Sequence, residues 1–389
     1  MSVTRVLVAL TVLSSVLFGV HYYLWARLVR DPGLPSPWNG VATTALAVLG
    51  VSSIVGFLLT RFAPRGVSSP IMWVVYVWLG VMFFLFMVLV ASDIVLGAVA
   101  LARLAHILPA AGTVDADRRQ TLARIVAGGV SAAALGLSGF GMASALGQVA
   151  IKRVRIPLAK LPAGTPPYRV VQLSDIHVGP TIGREFVADV VARVNALEPD
   201  CIVITGDLVD GSVAELGPLA APLAGLHAKD GVFFVTGNHE YYSGVDEWLA
   251  FLTGQGIRVL RNERVSVGPL DLAGVDDWSA KRFGKGHGQD VPRALEGRDV
   301  SKPIVLLAHQ PQTIAEAESL GVDLQLSGHT HGGQMYPWKY AVELVTPYVG
   351  GLYRHKSAAL YVSRGTGYWG PPMRLGAPAE ITHLELVPA

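Results

Sequence analysis

Hydrophobic and polar positions divide this chain into two regimes. Before residue 150 the apolar runs are long and almost unbroken, whereas beyond it they are short, β-branched and punctuated by Gly, Pro, Asp and Asn. Val6 to Leu28 is apolar nearly throughout, and at about 1.5 Å per residue it can cross a bilayer core of about 30 Å. His21, Tyr22, Tyr23 and Trp25 near its end resemble an interfacial belt. The run is long for a signal peptide and no small-residue cleavage site follows, so a retained helix is expected. Val41 to Leu59 and Ile71 to Ala91 are the second and third spans. The third continues as one helix past Asp93 and Arg103 to about Leu108, with Asp93 at headgroup level or in a bundle interior. After the polar segment Gly112 to Arg119, a fourth run covers Leu122 to Leu146, where Gly136, Gly139 and Gly141 suit close helix packing.

Past Lys152 the pattern becomes short apolar strands alternating with helical stretches, which predicts an α/β layer fold. Glu185 to Leu197 carries apolar residues at helical spacing and stops at Pro199, so it joins two strands as a βαβ crossover. A further helix is expected from Asp246 to Gly254, a β-meander over Val265–Val275, and a glycine-rich basic loop over Ser279–Gln289. Two domains follow, a helical transmembrane bundle over 1–150 and an α/β domain over 151–389.

The chemistry lies at the strand ends. Val170–Leu173 runs into Ser174-Asp175-Ile176-His177, and at period two Asp175 and His177 would point to one side at the strand's carboxyl end. Cys201–Thr205 ends in Gly206-Asp207, and Val232–Thr236 in Gly237-Asn238-His239-Glu240. Ile304–Ala308 ends in His309, and Val322–Leu326 in Ser327-Gly328-His329-Thr330-His331. A lone Asp-x-His is most simply a turn aspartate beside a structural histidine, but repetition over successive strands makes coincidence a poor account. Open α/β sheets bind ligands at that end.

This ordered set resembles the calcineurin-like metallophosphoesterase superfamily over about Ile156 to Leu386. With Leu360–Gly367 and the apolar front, it is similar to the family's membrane-bound bacterial branch. The resemblance implies a four-layer α/β/β/α sandwich. It also implies two divalent ions, of the Mn, Fe, Zn or Mg kind that suits Asp, Asn and His donors without Cys. Asp175, His177 and His331 would hold the first ion, Asn238, His309 and His329 the second, and Asp207 would bridge them. A bridging hydroxide would then attack phosphorus in line. His239 would orient the phosphate or protonate the leaving oxygen, and Asp210 would support a ligand histidine. Arg364 could contact phosphate or make an ordinary salt bridge.

Composition narrows the partners. The net charge of +2 gives no case for a nucleic-acid partner. Cys201 is the only cysteine, which excludes an intramolecular disulfide and a thiolate metal site. The partners expected are a lipid bilayer and a phosphorylated lipid or small molecule, with the oligomeric state open. A lipid-linked phosphate or pyrophosphate leads, with a nucleotide or generic phosphodiester as alternative and a non-catalytic metal-binding scaffold as the rival of another class. A transporter is disfavoured because the spans hold few ionisable residues. Positive residues scarcely decide sidedness. Six arginines (Arg27, Arg30, Arg103, Arg118, Arg119, Arg124) would lie inside for an extracytoplasmic domain. The opposite orientation would put seven residues inside (Arg5, Arg61, Arg65, Lys152, Arg153, Arg155, Lys160). Asp117–Leu122 is either a twin-arginine export signal or a positive flank. The paired Arg118-Arg119 favour a plasma-membrane protein with its catalytic domain outside. His21, His106, His227, His287, His355 and His383 are expected at surfaces or interfaces. Trp248, Trp278, Trp338 and Trp369 are expected as packing groups, the last two also able to form an apolar lip near the bilayer.

Overall fold

The computed structural model describes residues 3–109 and 115–389. The chain forms two compact units, Met1–Phe140 and Gly141–Ala389. Residues 112–114 of the polar segment lie outside the described residues.

The first unit is built from α1 (Val3–Trp25), α2 (Trp38–Phe62), α3 (Arg65–Leu104) and most of α4 (Ala116–Leu146), with a π-helical turn over Ala26–Arg30. All four helices are long and apolar enough to cross a membrane. Their hydrophobicity runs round the whole surface, since Leu24, Met72, Val75 and Leu89 are buried while Val12, Val48 and Leu101 are exposed. That is how a helix surrounded by lipid differs from an amphipathic one. Asp93 is half-buried and paired: Tyr23 donates its hydroxyl to it at 2.6 Å, and the Arg27 guanidinium, also bonded to Asp31 at 3.1 Å, pairs with it. Arg124 donates to the carbonyls of Pro32 and Gly33 at 2.9 and 3.3 Å, drawing the arginine-bearing ends of α1 and α4 together. His21 departs from expectation. It is buried, taking the Trp78 indole N–H at 3.0 Å on Nε2 while Nδ1 faces the Leu17 carbonyl at 2.8 Å.

The second unit continues with β1 (Ala150–Leu158), β2 (Tyr168–Leu173), α5 (Arg184–Asn195), β3 (Cys201–Thr205), α6 (Val213–Ala220) and β4 (Val232–Val235). Next come α7 (Asn238–Ser243), α8 (Val245–Gly254), β5 (Arg258–Val259), β6 (Glu263–Val267), β7 (Leu270–Gly274), α9 (Val291–Ala294) and β8 (Ile304–Leu307). It ends with α10 (Ile314–Ser319), β9 (Leu324–Ser327), α11 (Trp338–Glu343), β10 (Gly351–His355), β11 (Ala358–Val362) and β12 (Glu380–Pro388). One sheet has the order β1-β12-β2-β3-β4-β5 and the other β10-β11-β9-β8-β7-β6.

Alternation along the strands explains the layering. Val171 and Leu173 of β2 pack with Val190 of α5 and with Trp248 and Leu252 of α8, while Val170, on the strand's opposite face, turns to Val305 and Leu324 of the other sheet. The far face of the second sheet is covered by Val291 and Ala294 of α9 and Ala317 of α10. The result is an α/β/β/α sandwich whose parallel strands are buried on both faces, hence their unbroken apolar runs. β1 is a strand the sequence did not announce. It lies parallel to β12, pairing Ala150 with Glu380 through Leu158 with Pro388. His383 in β12 is therefore buried rather than at a surface, with Nδ1 3.3 Å from an Arg153 guanidinium nitrogen. Trp248 is fully buried, but Trp278 is 47% exposed and packs no core.

Strands β2, β3 and β4 run parallel in one sheet, and β8 and β9 in the other. Gln172 ties the sheets at this end, its amide donating to Thr205 Oγ1 and to the Ser327 carbonyl, each at 2.9 Å.

Candidate metal centre

The strands end before the polar residues begin. β2 stops at Leu173, so Asp175 and His177 lie beyond the extended chain, and a turn rather than period-two alternation aims them. Asp175, His177, Asp207, His329 and His331 all have positive φ, between 51° and 75°. A non-glycine residue there is strained by about 1–2 kcal/mol. Each strained loop is held by its neighbour: Asp175 N–H donates to the Gly206 carbonyl at 3.0 Å, and His177 N–H to the Asp207 carbonyl at 3.2 Å. His329 N–H donates to both Asp175 carboxylate oxygens, at 3.0 and 3.1 Å. The approach leaves no room for side chains at the intervening glycines. A Cβ on Gly328 would lie 2.0 Å from Ser174 Oγ, and one on Gly237 2.2 Å from Asp207 Oδ1.

Within this frame the side chains converge. Asp207 Oδ2 stands 3.1 Å from His309 Nε2, 3.9 Å from His239 Nε2 and 4.0 Å from His177 Nε2. His177 and His331 face each other through Nε2 atoms 3.1 Å apart, and Asp175 Oδ1 is 3.4 Å from His331 Nε2. His329 Nδ1 lies 3.3 Å from His309 Nε2. Asp175, His177 and His331 thus make one group able to hold a metal ion, and Asp207, His309 and His329 another. Asn238 adds a buried carbonyl oxygen with no hydrogen-bond partner. Facing imidazole lone pairs and an orphaned amide oxygen fit a cation, which accepts electron pairs from all of them.

The electrostatics of His329 and His331 agree with that fit, whereas at His309 burial is outweighed by the neighbouring Asp207 carboxylate, which raises it well above the usual histidine range, so a cation at its Nε2 would replace a proton. Burial and the His309 charge push His329 down to about 4, and burial, His177 and Arg374 hold His331 well below the usual histidine range. Both are therefore neutral, as an imidazole ligand must be. Burial would raise the Asp207 carboxyl, but His309, His239 and His177 hold it well below the ordinary carboxylate range. His309 fixes its tautomer by donating from Nδ1 to the Thr205 carbonyl at 2.7 Å, leaving Nε2 for the site. Asp210 does the same for two rings, with Oδ1 3.0 Å from His177 Nδ1 and 2.6 Å from His239 Nδ1. Burial alone would lower the His239 pKa, but the Asp210 hydrogen bond and the charges of Asp207 and Asp210 raise it to about 9.

Arg364 is not brought into this cluster; its guanidinium pairs with Glu380 at 3.8 Å. Two residues escaped the sequence reading. Glu240 is fully buried and accepts the N–H groups of Asp207, Leu208 and Gly237 at 3.1, 2.8 and 2.6 Å. Its signal was its place beside Asn238-His239. Arg374 is 1% exposed and donates to the carbonyls of Gly367, Ala377 and His331. Its setting, Pro371-Pro372-Met373-Arg374, reads only as loop.

The calcineurin-like phosphoesterase family matches residues 168–333, which include every clustered residue. A Danio rerio protein called transmembrane protein with metallophosphoesterase domain is 35% identical over 399 residues, covering 96% of this chain and 88% of its own. An uncharacterized metallophosphoesterase of Helicobacter pylori is 41% identical over 274 residues, covering 70% of this chain and 73% of its own. Matches of this extent, on a fold and a cluster of this kind, make the chain a member of the calcineurin-like metallophosphoesterases.

Proposed function

We propose that the chain is a membrane-held phosphoester hydrolase dependent on two divalent ions, of the Mn, Fe, Zn or Mg kind. Asp175, His177 and His331 would hold one ion, Asn238, His309 and His329 the other, and Asp207 both. The carrying observation is Asp207 Oδ2, within 4.0 Å of three imidazoles that come from three strand ends. Bound there, such ions supply Lewis acidity toward phosphoryl oxygens and a water acidic enough to attack phosphorus at neutral pH.

The chain's own groups do the rest. His239 turns Nε2 to the site because Asp210 takes Nδ1, and its raised pKa keeps a proton there for a phosphoryl oxygen or the leaving group. Asp210 couples the orientation of His239 to that of His177. Glu240 fixes the Asp207 and Gly237 loops against each other. The donor set has no gap, which argues against a non-catalytic scaffold.

The favoured substrate is a lipid-linked phosphate or pyrophosphate, because the catalytic unit follows directly from an apolar helix. A nucleotide or generic phosphodiester is the second reading, favoured by a helical unit that serves only as an anchor. No nucleic-acid partner is expected. The placement proposed is a plasma membrane with the catalytic unit outside, supported by the paired Arg118-Arg119. Elemental analysis and a hydrolysis screen of lipid pyrophosphates, nucleotides and a chromogenic diester test the function. One metal per chain at saturation sinks the dinuclear reading. Sidedness is read by an impermeant maleimide on Lys229→Cys in intact cells. Cys201 is 1% exposed, and burial pushes its thiol pKa up, so it stays silent. Labelling only after lysis places the catalytic unit inside.

A further inference from the structure

Beside the metal centre the second unit carries an exposed aromatic and aliphatic rim that no core explains. Leu344 and Val345 are each 88% exposed, Trp338 and Tyr340 each 55%, and Trp369 54%. These residues come from α11 with the two positions after it, and from the loop that carries Trp369, joined into one body. Gln334 takes the Trp369 N–H at 3.0 Å and returns its amide to the Trp369 carbonyl at 2.9 Å, and Tyr336 N–H donates to the Leu375 carbonyl at 2.9 Å. The rim borders the site directly, since the Trp369 ring meets the His239 ring edge-on, centroids 5.8 Å apart.

The same body is attached to the end of α4. Gly141 O accepts the Arg374 N–H at 2.9 Å, and Ala145 packs with Ile182 and Tyr368, next in sequence to Trp369. α4 carries no charge from Ile125 to Leu146, a length of roughly 33 Å at about 1.5 Å per residue. That matches a hydrocarbon core of about 30 Å, so Leu146 is at headgroup level and the loop packed on Ala145 is close to it. The first charges past α4, Lys152, Arg153 and Arg155 on the edge strand β1, are all exposed, as suits anionic headgroups. Trp and Tyr with a few aliphatic tips is also the composition of protein surfaces at a membrane interface.

We infer that the rim formed by Trp338, Tyr340, Leu344, Val345 and Trp369 is a membrane-seated lip that enters the interface of the bilayer α4 crosses and holds the mouth of the metal centre against it. The lip goes beyond the assignment of the metal centre, but its use in presenting a lipid phosphate rests on that assignment. The test uses the full chain in liposomes of phosphatidylethanolamine and phosphatidylglycerol, with a nitroxide at Leu344→Cys, Val345→Cys or, for reference, the exposed Lys229→Cys in the loop that leads into β4. Paramagnetic relaxation by oxygen, relative to that by a water-soluble nickel chelate, is expected to be at least threefold greater at 344 and 345 than at 229. Water-like ratios at both lip positions overturn the inference. So does dipolar broadening between two labelled chains, which would make the rim a contact between copies.

A second arm compares substrates. Leu344→Asp combined with Val345→Asp is expected to leave turnover of a soluble chromogenic diester unchanged and to lower turnover of a vesicle-embedded lipid phosphate about tenfold. Equal rates on both substrates, or equal loss on both, overturn the presenting role. A wild-type protein that turns over neither substrate defeats the hydrolase reading instead, and the nitroxide arm then decides the lip alone.

Discussion

Replacing Glu240 by Ala should weaken the catalytic unit more than any comparable change at its surface, although Glu240 touches no proposed metal ligand side chain. Its two carboxylate oxygens accept three backbone N–H groups, from Asp207 and Gly237 on one oxygen and Leu208 on the other. All are buried, and a buried donor left without an acceptor costs about 1–3 kcal/mol. The expected loss is therefore about 3–9 kcal/mol, which in a unit of this size lowers the melting temperature by roughly 6 °C or more. Glu240→Gln is the sharper comparison. Its carbonyl can replace the oxygen that serves Asp207 and Gly237, while its amide nitrogen faces the Leu208 N–H, so about a third of the Ala effect is expected. Scanning fluorimetry of the full chain in detergent measures both. An Ala variant melting within 2–3 °C of wild type, or a Gln variant as weak as Ala, would falsify the view that this carboxylate holds the two loops.

Asp207→Ala and Asn238→Ala are expected to abolish turnover, Asp207→Ala with loss of bound metal by elemental analysis. His239→Ala should slow turnover while both metals stay bound, and loss of a metal there would show that His239 is itself a ligand. Gly237→Ala places a methyl 2.2 Å from Asp207 Oδ1, so metal content should fall as in Asp207→Ala; full occupancy would mean that the loop gives way more easily than its packing implies. Chelation should lower the melting temperature, because a ligand bound only by the folded state stabilises it by mass action, and an unchanged melting point after verified removal of metal contradicts the fitted site.

The sequence made the strand ends legible because the buried parallel strands are short, mostly apolar runs that stop at polar residues, as Val170–Leu173 stops before Ser174-Asp175. It did not reveal the left-handed backbone at Asp175, His177, Asp207, His329 and His331, because nothing in an Asp or His shows φ as a glycine can. β1 was hidden for another reason. Lys152, Arg153 and Arg155 are exposed on an edge strand, and in one dimension such residues look like the flank of a transmembrane helix. Arg374 was invisible because its burial depends on loops far apart in sequence, and no periodicity marks a buried arginine. Arg364 follows β11 at the site's end of the sheet, and of its two readings the ordinary salt bridge, to Glu380, is the one present.

What the fold does for the site can be argued from where its strain lies. Five proposed ligands at about 1–2 kcal/mol each carry on the order of 5 kcal/mol or more of backbone strain, and Asn238 leaves a buried oxygen without a partner. All of this is concentrated at the seam where the two sheets' strand ends meet. The bonds that resist relaxation cross between neighbouring strand-end loops: Asp175 to Gly206, His177 to Asp207, and His329 to Asp175 from the other sheet. Gln172 adds a tie beneath them, joining Thr205 to Ser327. The apolar layers can supply such a sum, since burying one large aliphatic side chain is worth about 1.5–3 kcal/mol, and each sheet buries many. A ligand geometry that no single loop would adopt is thus imposed by two sheets that are stable for unrelated reasons. The seam, rather than any one strand, is therefore the unit on which the chemistry depends.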